Sequence, residues 1–174
     1  MTTWIVSIDD PRKPEIVALL ERHLDFARSV TRPEDVHALD LDGLLDPSVT
    51  FFSLRQGEKL LGIGAIKQLP GTDMELKSIH TAEEVRGRGV GRAVVEHLLG
   101  VARERGATRL YLETGSMDAF APSRALYERV GFVECDPFDS YVPSRSSTFM
   151  TMNLEADRGS LPLKAGPPTP NVTV

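Results

Sequence analysis

The chain has 174 residues, 41 % of them hydrophobic and 26 % charged, with a formal net charge of −5. That size and balance fit one globular domain with a substantial core. The acidic excess argues against a general nucleic-acid binder. Cys135 is the sole cysteine, which excludes an internal disulfide and a cysteine-built metal site. No basic segment leads an apolar run at the N-terminus, and no stretch reaches the roughly 18 apolar residues of a membrane span. A cytoplasmic protein without a membrane partner is the expectation.

In chain order, Trp4, Val6 and Ile8 alternate as a short strand that Asp9-Asp10-Pro11 breaks. Residues 14–30 read as a helix, with Ile16, Leu19, Leu20, Leu24 and Ala27 as its apolar stripe and Pro14 in its first turn. A second helix is expected over 33–45. Residues 49–55 and 60–69 form a hairpin about Gln56-Gly57-Glu58, and Gly62 and Gly64 in its return strand point to a bulge or a close backbone approach. A fourth strand spans 74–81. A helix from about residue 90 ends at Gly106, a fifth strand covers 109–114, and a helix over 119–130 stops at Gly131. The last strands are 132–135 and 147–154. The order mixes hairpins with helical crossovers and predicts a mixed α/β sheet of six to seven strands with helices on both faces. The domain is expected over residues 1–154. From 155 to 174 the prolines at 162, 167, 168 and 170 punctuate a tail with almost no large apolar residues. The sequon Asn171-Val172-Thr173 in it lacks a secretion signal that would give it meaning.

The segment Val85-Arg86-Gly87-Arg88-Gly89-Val90-Gly91-Arg92 stands at the head of an amphipathic helix carrying Val90, Val94, Leu98 and Val101 on one stripe. Alternate glycines let a backbone curl with its N–H groups inward and nothing in the way of a ligand. A helix N-terminus attracts an anion through its orphan N–H groups and dipole, and three arginines add charge. A diphosphate cradle is the physical reading. Neither the P-loop pattern nor G-x-G-x-x-G is present, and a disordered arginine-glycine arm is a poor fit to a loop that runs straight into a helix.

Three segments together resemble the GNAT N-acetyltransferases: Glu75-Leu76-Lys77-Ser78-Ile79-His80-Thr81 is similar to the family's fourth strand, the glycine segment to its acyl-CoA loop, and Ala125-Leu126-Tyr127-Glu128-Arg129-Val130-Gly131-Phe132 to its late helix. The resemblance implies a GNAT-like, mostly antiparallel sheet flanked by about four helices, its fourth and fifth strands splayed. It implies acetyl-CoA as co-substrate, a small-molecule or peptide amine as acceptor, and direct attack in a ternary complex; the four histidines, scattered and without H-x-x-x-H spacing, point to no metal. Backbone groups of Ile79, His80 and Thr81 would pair with the pantetheine arm, and Arg86, Gly87, Arg88, Gly89, Val90, Gly91 and Arg92 would hold the diphosphate. The family also admits homodimers.

An alkyl ammonium, with a pKa near ~10, must lose a proton before it attacks a thioester. The resemblance assigns Tyr127 as the acid that protonates the leaving thiolate; the alternative is a tyrosine merely packed under the sheet. Glu75, then Glu113, are the candidate bases, each also readable as a salt-bridged strand carboxylate. By strict alternation Glu75 shares a face with Lys77, Ile79 and Thr81, and Glu113 with Tyr111. His80 and His37 are further bases by their ordinary pKa, whereas His23 and His97 sit in helices without a signal and Cys135 reads as packing. The family's usual asparagine seven residues before the tyrosine is Phe120 here, with Ser116 or Ser123 as replacement donors. Asp25, Glu34, Asp35, Asp40, Asp42, Asp46, Asp136 and Asp139 are readable either as an acidic rim around a cationic acceptor or as ordinary solvated surface. Two other classes stay open: a non-catalytic acyl-CoA-binding sensor or interaction module on the same fold, and a nucleic-acid binder resting on the arginine loop alone.

Overall fold

A computed structural model describes residues 3–33 and 41–155. The elements follow as β1 (Trp4–Ile8), α1 (Pro14–Val30), α2 (Leu41–Leu44), β2 (Val49–Gln56), β3 (Lys59–Gln68), β4 (Met74–Thr81), α3 (Val90–Glu104), β5 (Arg109–Gly115), α4 (Ala121–Val130), β6 (Val133–Glu134) and β7 (Ser147–Asn153). This is the expected order. Of the second helix expected over 33–45, only α2 is described; residues 34–40, with His37, Glu34, Asp35 and Asp40, lie outside the described residues, as does the tail from 156 onward. Among the described residues no helix is long and apolar enough to cross a membrane.

The strands form one sheet in the order β1-β2-β3-β4-β5-β7-β6. Every pairing is antiparallel except β4 with β5. Helices cover both faces. α1 begins at Pro14 and buries Ile16, Leu19, Leu20 and Ala27, and its His23 reaches His80 of β4. α3 lies on the opposite face and buries Val90, Val94, Val95, Leu98, Leu99 and Ala102. Its close seat depends on Gly62 and Gly64 of β3: a Cβ there would stand 2.8 Å from Val90 Cγ1 and 2.7 Å from Val94 Cγ1. The glycine pair thus marks a close approach, as expected.

β4 and β5 pair only through Met74–Leu110, Glu75–Tyr111 and Leu76–Leu112, and then part. The cause lies in β4. Across β3, Lys77 faces Ala65 but His80 faces Ile63, so three steps of β4 oppose two of β3. The extra residue is a β-bulge, and Ser78 within it adopts φ +53°, a left-handed conformation that a non-glycine residue takes only where its surroundings enforce it. The bulge bends β4 away from β5 and opens a V-shaped gap.

It also overturns the expected alternation. Directly opposed residues share a face, so Glu75, Lys77 and His80 lie together on the α1 face. Ile79 Cγ1 comes within 3.4 Å of where Gly64 would carry a Cβ, and Thr81 pairs with Gly62; both therefore belong to the α3 face and not with Glu75. Elsewhere Ile8, which alternates with Trp4 and Val6, is 69 % exposed; it ends β1, the edge strand of the sheet.

At the end of α4 Gly131 takes φ +116°, its N–H donating to the carbonyls of Tyr127 and Glu128. The next N–H, of Phe132, also donates to the Tyr127 carbonyl. This cap drops Phe132 into the core at 2 % exposure, and its ring meets that of Tyr127 edge-on at 6.0 Å. The cap thereby fixes where Tyr127 stands.

Candidate active site

The gap between β4 and β5 is the floor of a cleft. α1 contributes His23 and Phe26, β4 contributes residues 75–80, β5 contributes 113–115, and Phe120, Ser123 and Tyr127 close it from the α4 side. At its α3 end, Gly91 abuts the end of β4: a Cβ on Gly91 would lie 3.3 Å from Thr81 Oγ1 and 3.4 Å from Leu126 Cδ2. The loop before α3 is open. Residues 86–89 are exposed, Gly87 and Gly89 have φ +75° and +87°, and nothing stands within 4 Å of a Cβ at either. Gly89 is the N-cap of α3 in a left-handed conformation, and no side chain caps the helix. Its first-turn N–H groups lack intrahelical partners and follow directly on the exposed residues Arg86 to Gly89. Arg92 is engaged by Glu96, its Nε donating over 2.7 Å.

Across the α1 face runs a second arrangement. Glu75 is 1 % exposed. Its Oε1 accepts from Lys77 Nζ at 2.9 Å and from the Tyr141 hydroxyl at 2.6 Å, and Lys77 Nζ donates to that hydroxyl at 2.6 Å. Burial and the charge of Glu75 push the Tyr141 hydroxyl far up, so it stays a donor. Tyr141 belongs to the segment between β6 and β7. An aromatic cluster of Phe138, Phe149 and Tyr111 anchors that segment, with Cys135 packed against it, so the cysteine serves packing as expected. Nothing in the sequence around Tyr141 announces its partnership with a strand 66 residues away.

His80 stands on the same face, its Nδ1 3.1 Å from Nδ1 of His23. Burial lowers the pKa of His23 to about 4. Burial, then the positive surroundings of His23, Arg86 and Arg22, lower that of His80 to about 3. Both rings are neutral at pH 7, and one donates to the other. His23, without a signal in the sequence, is thus a lining residue; its spacing of three from Phe26 on one helical face is the trace that was legible. His97 instead packs edge-on against Phe52 at 5.3 Å.

Tyr127 lies at the cleft's α4 wall, 7 % exposed. Burial, reinforced by the negative charge of Glu113, raises its hydroxyl pKa well above the ordinary value, so it holds its proton. Phe120, in place of the asparagine, sits against the backbone of Gly115, where a Cβ would collide with its ring. Ser123 lines the cleft, and the Ser116 hydroxyl donates to the Arg145 carbonyl. Arg124 bridges the turn after β5, donating to the carbonyls of Gly115 and Met117.

Among the described residues the cleft has no acidic rim; Glu34, Asp35 and Asp40 lie outside them. Asp25, Asp42, Asp46, Asp136 and Asp139 do not line the cleft. Asp46 caps a turn by accepting from the Ser48 N–H and hydroxyl at 2.8 and 2.6 Å. Short polar side chains at bends serve their own backbone first.

The sequence model of the Acetyltransferase (GNAT) family matches residues 16–132. The chain belongs to the GNAT family. This GNAT chain is 41 % identical over 149 residues to YsnE, an uncharacterized N-acetyltransferase of Bacillus subtilis (strain 168), covering 86 % of the chain and 99 % of YsnE. It is 39 % identical over 151 residues to YedL, an uncharacterized N-acetyltransferase of Escherichia coli (strain K12), covering 87 % and 95 %. An acetyltransferase of Bacillus subtilis solved in complex with CoA superposes with a TM-score of 0.66 at 17 % identity, over 87 % of this chain and 99 % of that one. That is a likeness of fold. As a GNAT member the protein is an enzyme, an acyltransferase.

Proposed function

We propose that the protein transfers an acetyl group from acetyl-CoA to a primary amine, by direct attack of the amine while both substrates are bound. The observation that carries this reading is the parting of β4 and β5 beside an exposed, uncapped helix start. Backbone N–H groups of residues 87–92 are suited to grip a diphosphate, with Arg86 and Arg88 adding charge. The strand edge of residues 77–81, which has no sheet partner on its β5 side, would hydrogen-bond the pantetheine arm as an added strand. The fold neighbour that holds CoA supports the donor.

Tyr127 is the proposed acid. Its hydroxyl is protonated at neutral pH and lines the cleft, so it is the group placed to hand a proton to the thiolate as the thiolate departs. Glu113 is the proposed base, directly or through water. Glu75, the other candidate, serves less well: its charge is matched by Lys77 and Tyr141, and a proton placed on it would strand the buried ammonium of Lys77. The backbone of the bulged strand offers N–H donors for the tetrahedral oxyanion. Residues 1–154 form the proposed catalytic domain.

Thiol release from acetyl-CoA across a panel of amines tests the reading. Amine-dependent release saturating in both substrates is expected. CoA binding with no release on any amine would refute it and favour a non-catalytic module.

A further inference from the structure

The α1 side of the cleft is walled by aromatic rings. His23 and Phe26 stand one helical turn apart on α1 and border the cleft together with His80 of β4 and Phe120 ahead of α4. The rings meet in pairs: His23 tilts against His80 with 4.7 Å between centroids, and Phe26 meets Phe120 edge-on at 5.2 Å. Gly115, at the end of β5, is what lets Phe120 come so close to the backbone.

This wall carries no charge at pH 7, because burial holds both imidazoles neutral. Glu75, next along β4, is balanced by Lys77 at 2.9 Å. The described aspartates expected at the acceptor lie elsewhere. Among the described lining residues an extended polycation therefore meets few anionic groups, while Glu113 supplies a carboxylate for a single ammonium. The space in the cleft is about 130 Å³, of the order of a cavity that takes up benzene. The ring wall stands on the α1 face, whereas the glycine loop opens from the α3 side, so donor and acceptor would meet between the strands from opposite faces.

We infer that the acceptor is a small amine carrying an aromatic ring a short chain from its nitrogen, the ring lying against Phe26, Phe120 and the histidine pair. The inference rests on the amine-acetylation reading and adds the acceptor's class to it. Edge and face contacts between rings select for a ring over an alkyl chain of similar basicity.

The test compares thiol release with 2-phenylethylamine, n-butylamine and spermidine. The wild-type enzyme should favour 2-phenylethylamine over n-butylamine by roughly tenfold in kcat/KM, the size expected of one or two ring contacts. Phe26→Ala should bring that ratio to within about twofold through KM for the aryl amine, with CoA affinity by calorimetry unchanged. Phe26→Leu, which fills the volume without a ring, should do the same, and Phe26→Tyr should keep the preference. An equal or better rate with n-butylamine or spermidine overturns the inference and leaves amine acetylation standing. So does an undiminished ratio in both ring-less variants. CoA binding without release from any of the three amines overturns both.

Discussion

The two sides of the cleft are built by different means. The α3 side is backbone: a run of residues 85–92 whose glycines clear the way and whose N–H groups are the proposed donors to the diphosphate. The α1 side is side chains: His23, Phe26, Glu75, Lys77, His80, Glu113 and Tyr141 come from α1, β4, β5 and the segment before β7. A backbone site is written in consecutive letters. A side-chain site is assembled by the fold and has no local spelling. The first kind would suit a donor common to a family; the second would have room to differ with each acceptor.

The sharpest way to break this division is at Gly89. A glutamate there adds negative charge at an anion site and forces an L-residue to φ +87° in open space. CoA affinity should fall by about 100-fold or more by calorimetry, with the circular-dichroism spectrum retained; unaltered affinity would remove the loop from donor binding. Gly91→Glu should lose CoA as well, but with a lower Tm, since a Cβ added there would press on Thr81 and Leu126.

Tyr127→Phe tests whether the second region performs chemistry. It should cost roughly 100-fold in kcat while Kd for CoA holds. An unchanged kcat would leave Tyr127 as a packing residue under the sheet.

The two carboxylates should separate. Glu113→Gln should abolish the acidic limb of the pH–rate profile. Glu75→Gln should act chiefly on stability, by about 3–5 kcal/mol, because it leaves a buried ammonium without its counter-charge; Lys77 is 8 % exposed in that pair. A limb that survives Glu113→Gln would return the role to another group.

The smallest effect concerns the histidine pair. Both imidazoles titrate below their ordinary value of 6.5 in the folded chain, His23 at about 4 and His80 at about 3. On acidification the unfolded chain binds protons first, so their contribution is complete above about pH 6.5 and is lost as pH falls toward 4. His23→Asn should flatten the fall of Tm between pH 6.5 and 4, read by thermal unfolding. An identical slope would remove the pair from the acid response.

Much of the fold was legible because periodicity and turn residues agree: α1 starts at Pro14 and ends at Val30 as its apolar stripe requires, and Gly106 and Gly131 stop helices. The face assignments on β4 were not. Alternation counts by two, and the bulge at Ser78 inserts one more residue, which moves Thr81 and Ile79 to the α3 face and brings His80 beside Lys77. Propensity carries no sign of such an insertion. The Tyr141–Glu75 contact escaped for another reason: only the return of the chain through the Phe138 cluster brings it within 2.6 Å.

The seam between β4 and β5 has a last consequence. Three residue pairs join the β1–β4 half of the sheet to the β5–β7 half, so whatever lies in the gap acts as mortar between two panels. Substrate occupancy should slow deuterium uptake at residues 77–80 and 113–115 alike. Part of this enzyme's rigidity is thus on loan from the molecule it consumes.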